Sequence, residues 1–404
     1  MRASGQRREA GFLFILITVA LDMLAVGVMV PVLPKLLEEF EGGDVRSAAA
    51  VAGVFGFSWA LMQFLFQPVL GALSDRFGRR PVVLLSNLGL GLDYILMALA
   101  PSLAVLYVGR LISGLTSASL STANAYIADI TPPEKRAGRF GMIGAAFGLG
   151  FILGPAIGGL LGAHGLRLPF WAAAALSLTN FAYGWFILPE SLPPERRTDK
   201  IVWRGANVVG AIAFLRRDPA LTLIAAAQFL SFLAHESLPS IFVLYTDYRF
   251  HWDAATTGWA LTIVGVSQTV VSGGIVRPLV ARVGEKRAAM LGLVCGVLGF
   301  AAYALAPNGT VFMAAAPLIA LWAMAGPAFQ GLATRWAGAS EQGRLQGALG
   351  SLRGVSGLIG PLLFTQALVL TIAAGGFTGA GYMISALLLL ASLAITLRAS
   401  KSGD

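Results

Sequence analysis

One cysteine, three histidines and a charged fraction of only 12% in 404 residues leave little material for most chemistries. Cys295 lies inside an apolar run, so the chain forms no internal disulfide and no cysteine metal cluster, and this thiol reads as a small packing group. His164, His235 and His251 fall in separate segments without the spacing of a metal site. No GxxxxGK[ST] loop is present, which argues against ATP drive. A channel would call for rings of polar residues in a symmetric oligomer, and a receptor or signalling scaffold would normally add a soluble domain; neither pattern is visible, and nothing points to an enzyme.

What the chain does have is apolar length. It is 56% hydrophobic with a mean hydropathy of +0.75, far from a soluble domain. The apolar runs are unbroken rather than alternating, which predicts helices and not barrel strands. The 49 glycines suit membrane helices, where small residues permit close approach. The opening MRASGQRREAGFLFILITVALDML has the basic-then-apolar look of a signal peptide. The run continues past Asp22 to about Pro31 and further spans follow, so it reads as a retained first span.

Twelve spans are expected, at about 11–33, 50–73, 81–100, 103–128, 140–161, 169–188, 220–245, 257–280, 288–306, 311–334, 347–372 and 377–397. A proline- and charge-rich stretch, 189–219, divides them. The expected domains are an N-terminal six-helix bundle (1–188), a cytoplasmic linker (189–219) and a C-terminal six-helix bundle (220–404). Of the 29 Lys and Arg, 23 fall in segments assigned to the cytoplasm, four on the opposite side and two, Arg110 and Arg353, within spans. That asymmetry places both termini in the cytoplasm. The net charge of +9 therefore reads as orientation and attraction to membrane lipid, not as nucleic-acid binding.

Internal duplication is legible at one offset. Gly78 and Gly284, Arg76 and Arg282, and the Gly154-Pro155 and Gly360-Pro361 pairs are all separated by 206 residues. This predicts two pseudo-symmetric halves in parallel repeat, with a solute path between them.

Three motifs then meet a known family. GALSDRFGRR (Gly71 to Arg80), between the second and third spans, matches the cytoplasmic loop motif of the major facilitator superfamily. Arg110-x-x-x-Gly114 matches its fourth-span motif, and GFILGPAIGG (Gly150 to Gly159) matches the motif of its proton antiporters. Over nearly its whole length the chain resembles the tetracycline/proton antiporter branch, most closely in LDMLAVGVMVPVLP, GALSDRFGRRPV, LDYILMALAP and GRLISGLTSASLSTANAYIADIT. The resemblance implies an all-α integral membrane carrier of twelve helices, exporting a tetracycline-like or other amphipathic drug in exchange for protons by rocking of two halves. A proton-coupled carrier of an organic anion or small metabolite, including an importer, is the alternative. No cofactor is expected: the proton is the coupling ion, and magnesium enters only if the solute is a magnesium-tetracycline chelate. A monomer in the bacterial inner membrane is expected.

Asp22 lies midway along the first span, where a buried carboxylate is costly and usually functional. It reads either as the proton or substrate group, which the resemblance favours, or as one end of a helix–helix hydrogen bond. Asp93 matches a second such acid, with a structural pair as the alternative, and Arg110 is the cationic partner of either. Asp75 and Arg76, with Gly71, Gly78, Arg79 and Arg80, read either as a conformational latch, Asp75 being expected to cap the third span and pair with a base such as Arg139, or as a motif that only enforces topology. Gly150, Gly154, Gly158, Gly159 and Pro155 permit close approach and a bend, and in the resembling antiporters the stretch is tied to exchange.

The second half departs from that branch. Gln268 and Gly296 stand where it has a histidine and an aspartate, while His235, Glu236 and Arg353 stand where it is uncharged. Glu236 and Arg353 are expected to face each other across the path, protonation of the acid freeing the arginine for an anionic or zwitterionic solute, or to form a buried ion pair fixing the seventh and eleventh spans, or Glu236 lies at the surface near the outer face. Gln63, Gln67, Asn124, Gln228, Gln330 and Phe329 are candidate pocket-lining residues, each also readable as packing.

Overall fold

In the computed structural model, which describes residues 2–116, 119–198, 208–334 and 341–399, all regular structure is helical. Among the described residues ten segments are long and apolar enough to cross a membrane. The helix Leu168–Ile187 and the two pieces Leu103–Thr116 and Ser119–Ile130 supply the remaining expected spans.

In chain order the first half comprises α1 (Arg2–Met29), α2 (Leu33–Phe40), α3 (Val45–Phe77), α4 (Arg79–Leu99), α5 (Leu103–Thr116), α6 (Ser119–Ile130), α7 (Pro133–His164) and α8 (Leu168–Ile187). The stretch read as a polar linker holds a 3-10 turn, Pro194–Arg196, and an apolar helix, α9 (Val208–Leu215). The second half comprises α10 (Pro219–His235), α11 (Ser237–Phe250), α12 (Ala254–Val270), a π-helical turn at Val271–Ile275, α13 (Val276–Val283) and α14 (Glu285–Leu305). It ends with α15 (Gly309–Ala314), α16 (Ala316–Trp322), α17 (Ala325–Thr334), α18 (Gln342–Ala373) and α19 (Ala380–Ala399).

Several expected continuous spans are therefore built from pieces, and the breaks have covalent causes. Pro34 removes the amide that would bond the carbonyl of Val30, and the chain turns there before α2. Pro239 does the same to His235, so the seventh span breaks at Glu236. Pro317 and Pro327 divide the tenth span. In the eighth span Pro278 follows Gly273-Gly274, and the ladder there relaxes to a π turn.

The repeat is visible in the backbone. α4 and α14 have the same length, 21 residues, and both follow a glycine of positive φ: Gly78 at φ 105°, ψ 160° and Gly284 at φ 81°, ψ 159°. α7 and α18 are each 32 residues with one internal proline, Pro155 and Pro361. An aspartate caps the second span of each half, α3 and α12. Asp44 accepts from the amides of Arg46 and Ser47, and Asp253 from the amide of Thr256.

The chain forms two compact units, Met1–Phe40 with Ser58–Gly205 and Asp253–Thr262, and Glu41–Phe57 with Ala206–Trp252 and Ile263–Asp404. In the first unit α1 packs on α7 and α8, and α4 on α8 and α5. In the second, α19 packs on α10 and α14, and α18 on α9, α10 and α11.

Candidate functional site: buried charge in each unit

The first unit carries its acids deep in the helices. Asp22 of α1 is 4% exposed. Asn180 of α8 donates its Nδ2–H to Asp22 Oδ1 at 3.3 Å, and Thr18, one turn earlier on α1, donates its hydroxyl to Asn180 Oδ1 at 3.0 Å. Neither Thr18 nor Asn180 is exposed at all. Sequence reasoning missed both, because a threonine or asparagine in an apolar run carries no periodic or charge signal.

Asp93 and Tyr94 of α4 are also buried. Asp22, Asp93 and Arg110 all act electrostatically on Tyr94, so one neighbourhood holds the two acids, the phenol and the guanidinium. A Cβ on Gly109 would lie 2.9 Å from Asp93 Oδ1, so the glycine next to Arg110 makes room for the carboxylate between α4 and α5. Arg110 stacks its guanidinium over Trp59 of α3, 4.8 Å from the ring centre, within the field of Asp93.

α1 reaches this position because the glycines of α7 admit it. A side chain on Gly150 would meet Met23 and Leu24, one on Gly154 would meet Gly27, and one on Gly158 would meet the Val28 carbonyl. Gly159, beside Pro155, faces Ala254 and Gly258 at the start of α12, where Thr262 donates to the Ile152 carbonyl at 3.1 Å. The antiporter-motif residues thus form two close helix contacts, both within this unit.

The Gly71–Arg80 motif is a charge network, and its centre is not the residue expected. Asp75 lies in the last turn of α3, not at the start of α4, and its ion partner is Arg79. Capping falls instead to Glu190, past the end of α8, which accepts from the amides of Arg79 (2.9 Å) and Arg80 (3.3 Å) and sits 3.7 Å from Arg197. A carboxylate at that position meets the unsatisfied donors and the positive end of α4. Arg79 also reaches Asp129 of α6 at 3.2 Å, and Ser191 donates to the same carboxylate at 3.1 Å. Arg80 donates to the Trp185 carbonyl at 2.7 Å. Arg76 lies over Phe77, and Arg139 over Phe12 of α1. Gly71 has open space beside it, whereas a side chain on Gly78 would strike Glu190. The spacing of Asp129 and Glu190 in the sequence gave no hint of this hub, since both enter from other helix ends.

In the second unit His235 ends α10 with its ring 5.8 Å from that of Trp322, whose Nε1–H donates to Ser231 at 3.1 Å. Gly296 gives Trp322 its seat: a Cβ there would stand 2.9 Å from Trp322 Cγ. Glu236 occupies the break between α10 and α11 and packs directly against Gly360 of α18. Arg353 of α18 is exposed, lies 5.6 Å over Phe232, and acts electrostatically on both His235 and Glu236. The guanidinium thus rests on an aromatic face while remaining the neighbour of the acid.

The candidate pocket residues are dispersed. Gln63 and Gln67 of α3 bond to each other at 3.3 Å, and Asn124 is half-buried on α6. Gln228 and Phe329 are buried on α10 and α17, Gln330 is half-buried beside Phe329, and Gln268 is exposed on α12. Among the described residues no group of three or more His, Cys, Asp or Glu could hold a metal ion.

Among the described residues, ten or more membrane-crossing helices in repeated halves, with charges buried within them, define a multi-pass membrane protein. The chain belongs to the Major Facilitator Superfamily, whose sequence profile matches residues 15–361 and again 224–403. It is 38% identical to the class C tetracycline resistance protein of Escherichia coli, covering 94% of both chains. It is 37% identical to the class G protein of Vibrio anguillarum, covering 95% of this chain and 96% of that one. Among solved structures, the nucleoside transporter NupG superposes with a TM-score of 0.76 at 15% identity, covering 96% of this chain and 99% of that one. The human organic anion transporter MFSD10 does so with 0.71 at 23%, with the same coverage.

Proposed function

We propose that this chain exports a tetracycline-like or other amphipathic drug across the bacterial inner membrane in exchange for protons, by alternating access of its two halves. The observation that carries the reading is 36–38% identity to six tetracycline resistance proteins over most of the chain. The buried Asp22 supports it, being a carboxylate held by polar partners where a proton must be loaded and released. Asp93 and Arg110 form the second charged pair of the proton route, and Glu236 is a third acid on it. The network around Arg79 and Glu190, with Asp75 and Arg139, is the cytoplasmic latch, and the α7 glycines hold the close contacts that exchange requires. The solute is bound by His235, Arg353, Phe329 and the amide side chains Gln63, Gln67, Asn124, Gln228, Gln268 and Gln330. Magnesium enters only if the solute is a magnesium-tetracycline chelate, and then as part of the solute. The protein works as a monomer with both termini cytoplasmic.

A second reading is favoured by one local observation. Arg353 and His235 are exposed at mid-span beside aromatic rings, where a carboxylate or enolate would be recognised. A proton-coupled carrier of an organic anion or small metabolite fits that pair. Uptake of labelled tetracycline with magnesium into respiring everted vesicles separates the two: uptake above the level of empty vesicles supports drug export, and its absence with folded protein present contradicts it.

A further inference from the structure

Arg110 carries its charge within α5, and the group its guanidinium lies against is a ring, not a carboxylate. The guanidinium carbon is 4.8 Å from the ring centre of Trp59 on α3. Asp93 acts on it electrostatically, yet neither oxygen of that carboxylate takes a hydrogen bond from it.

Two faces of α5 build this arrangement. Tyr107, Arg110 and Gly114 recur at three- and four-residue intervals and so share one face, which meets α3. Ser58 and Tyr107 share a hydrogen bond of 2.7 Å, and a Cβ on Gly114 would stand 2.8 Å from the Trp59 carbonyl oxygen and 2.7 Å from Met62 Cβ. The neighbouring face carries Gly109 and Ser113, and it meets Asp93 of α4. Arg110 thus stands between an aromatic face and a carboxylate, with the backbone fixed on both sides. The Trp59 Nε1–H is enclosed without a hydrogen-bond partner, so what the indole offers its neighbour is its face.

We propose that Trp59 is a positioning residue for the Asp93–Arg110 pair: its ring competes with the carboxylate for the guanidinium and so sets how readily Asp93 takes up a proton. The inference rests on the proposed place of that pair in the proton route. An arginine that closes directly on a carboxylate in a low-dielectric site holds the acid ionised. Such an acid loads a proton only by breaking the pair. An indole face attracts a guanidinium and has no site for a proton. With the cation held on Trp59, protonation of Asp93 breaks no direct ion pair, and the charge of Arg110 keeps a partner afterwards. Without the ring, the ionised state alone gains a direct pair, so the two protonation states are affected unequally.

The other titratable and charged groups are engaged elsewhere. Arg110 is the charged group that acts on Asp93. Tyr94, beside Asp93, feels Asp93, Asp22 and Arg110, and Asp22 of α1 is bonded to Asn180. On α3, Asp75 and Arg76 lie in its last turn. At the start of α4, Arg79 is held by Asp75 and Asp129, and Arg80 by the Trp185 carbonyl. On α6, Tyr126 donates to the Pro189 carbonyl, and on α8 Tyr183 packs against Phe14.

The test uses the full-length protein in lipid nanodiscs, with no solute present. The carboxyl C=O infrared band that Asp93→Asn removes is followed against pH in wild type, Trp59→Phe, Trp59→Leu, and Arg110→Gln with and without Trp59→Leu. Trp59→Leu is expected to move the titration midpoint to lower pH by about one unit, the scale of a cation–π contact in a desolvated site. Trp59→Phe, which keeps a weaker aromatic face, is expected to move it less. In the Arg110→Gln background, Trp59→Leu is expected to move nothing, since the ring acts through the guanidinium. A midpoint in Trp59→Leu that is unchanged or higher overturns the proposal, as does an equal shift with and without Arg110. If Arg110→Gln does not fold, a shift as large in Trp59→Phe as in Trp59→Leu overturns it. A wild type that fails to move tetracycline contradicts the proposed solute and leaves these midpoints readable.

Discussion

Gly78 and Gly284 occupy equivalent places in the repeat with nearly the same backbone, yet only one of them has a neighbour, and alanine substitution at each makes a sharp comparison. Both dihedral pairs fall in a region that is essentially restricted to glycine, where another residue costs about 1–3 kcal/mol. At Gly284 nothing lies within 4 Å of the added Cβ, so strain is the whole cost. At Gly78 the Cβ also displaces the Glu190 carboxylate and meets Arg197 Nη2 at 2.9 Å. That removes the cap of α4, worth about 1 kcal/mol more. At roughly 2–4 °C per kcal/mol for a unit of this size, Gly78→Ala should melt that much lower than Gly284→Ala. The assay is thermal unfolding in detergent followed with a thiol-reactive dye on Cys295, with Glu190→Ala as the third variant. Glu190→Ala should add nothing to Gly78→Ala but should add its full cost to Gly284→Ala, because only the first pair shares a partner. Equal melting points for the two glycine variants, or additivity of Gly78→Ala with Glu190→Ala, would refute the reasoning.

Other consequences are more local. Gly154→Val places two methyl groups where Gly27 of α1 already stands, with the added Cβ 2.6 Å from its Cα. The protein is expected at a small fraction of wild-type abundance in membranes, while Gly144→Val, at a glycine with open space beside it, should accumulate normally. Asp253 is held below the usual carboxylate range, chiefly by its hydrogen bond to Thr256 and further by Lys35. A depressed folded pKa stabilises above the unfolded value and is lost as pH falls through the folded one. Asp253→Ala should therefore melt lower than wild type at pH 7 and converge with it below about pH 4. Arg353→Ala removes the exposed mid-span cation, and binding of anionic solutes, measured by tryptophan quenching, should weaken about tenfold or more while binding of neutral ones changes little.

Much of the architecture is legible in the chain itself, because bilayer thickness fixes helix length. The 206-residue offset that joins Gly78 to Gly284 reappears as matching backbone angles and matching helix lengths. Less legible were the breaks in the seventh, eighth and tenth spans. Their prolines, Pro239, Pro278, Pro317 and Pro327, sit in runs whose hydropathy is uninterrupted, and hydropathy does not report a missing amide. α9 was hidden for the opposite reason: its eight apolar residues are embedded in a charged stretch. At the site, the acids and arginines announced themselves by their cost in an apolar helix. Glu190, Asn180 and Thr18 did not, since their meaning depends on which distant helix end or face meets them.

The most direct test of proton exchange is collapse of the respiratory pH gradient in everted vesicles on adding tetracycline with magnesium, in wild type and in Asp22→Asn. The account predicts that the gradient collapses in wild type in proportion to added drug and holds in Asp22→Asn at equal protein abundance. A gradient that holds in wild type, or collapses equally in the variant, would contradict it.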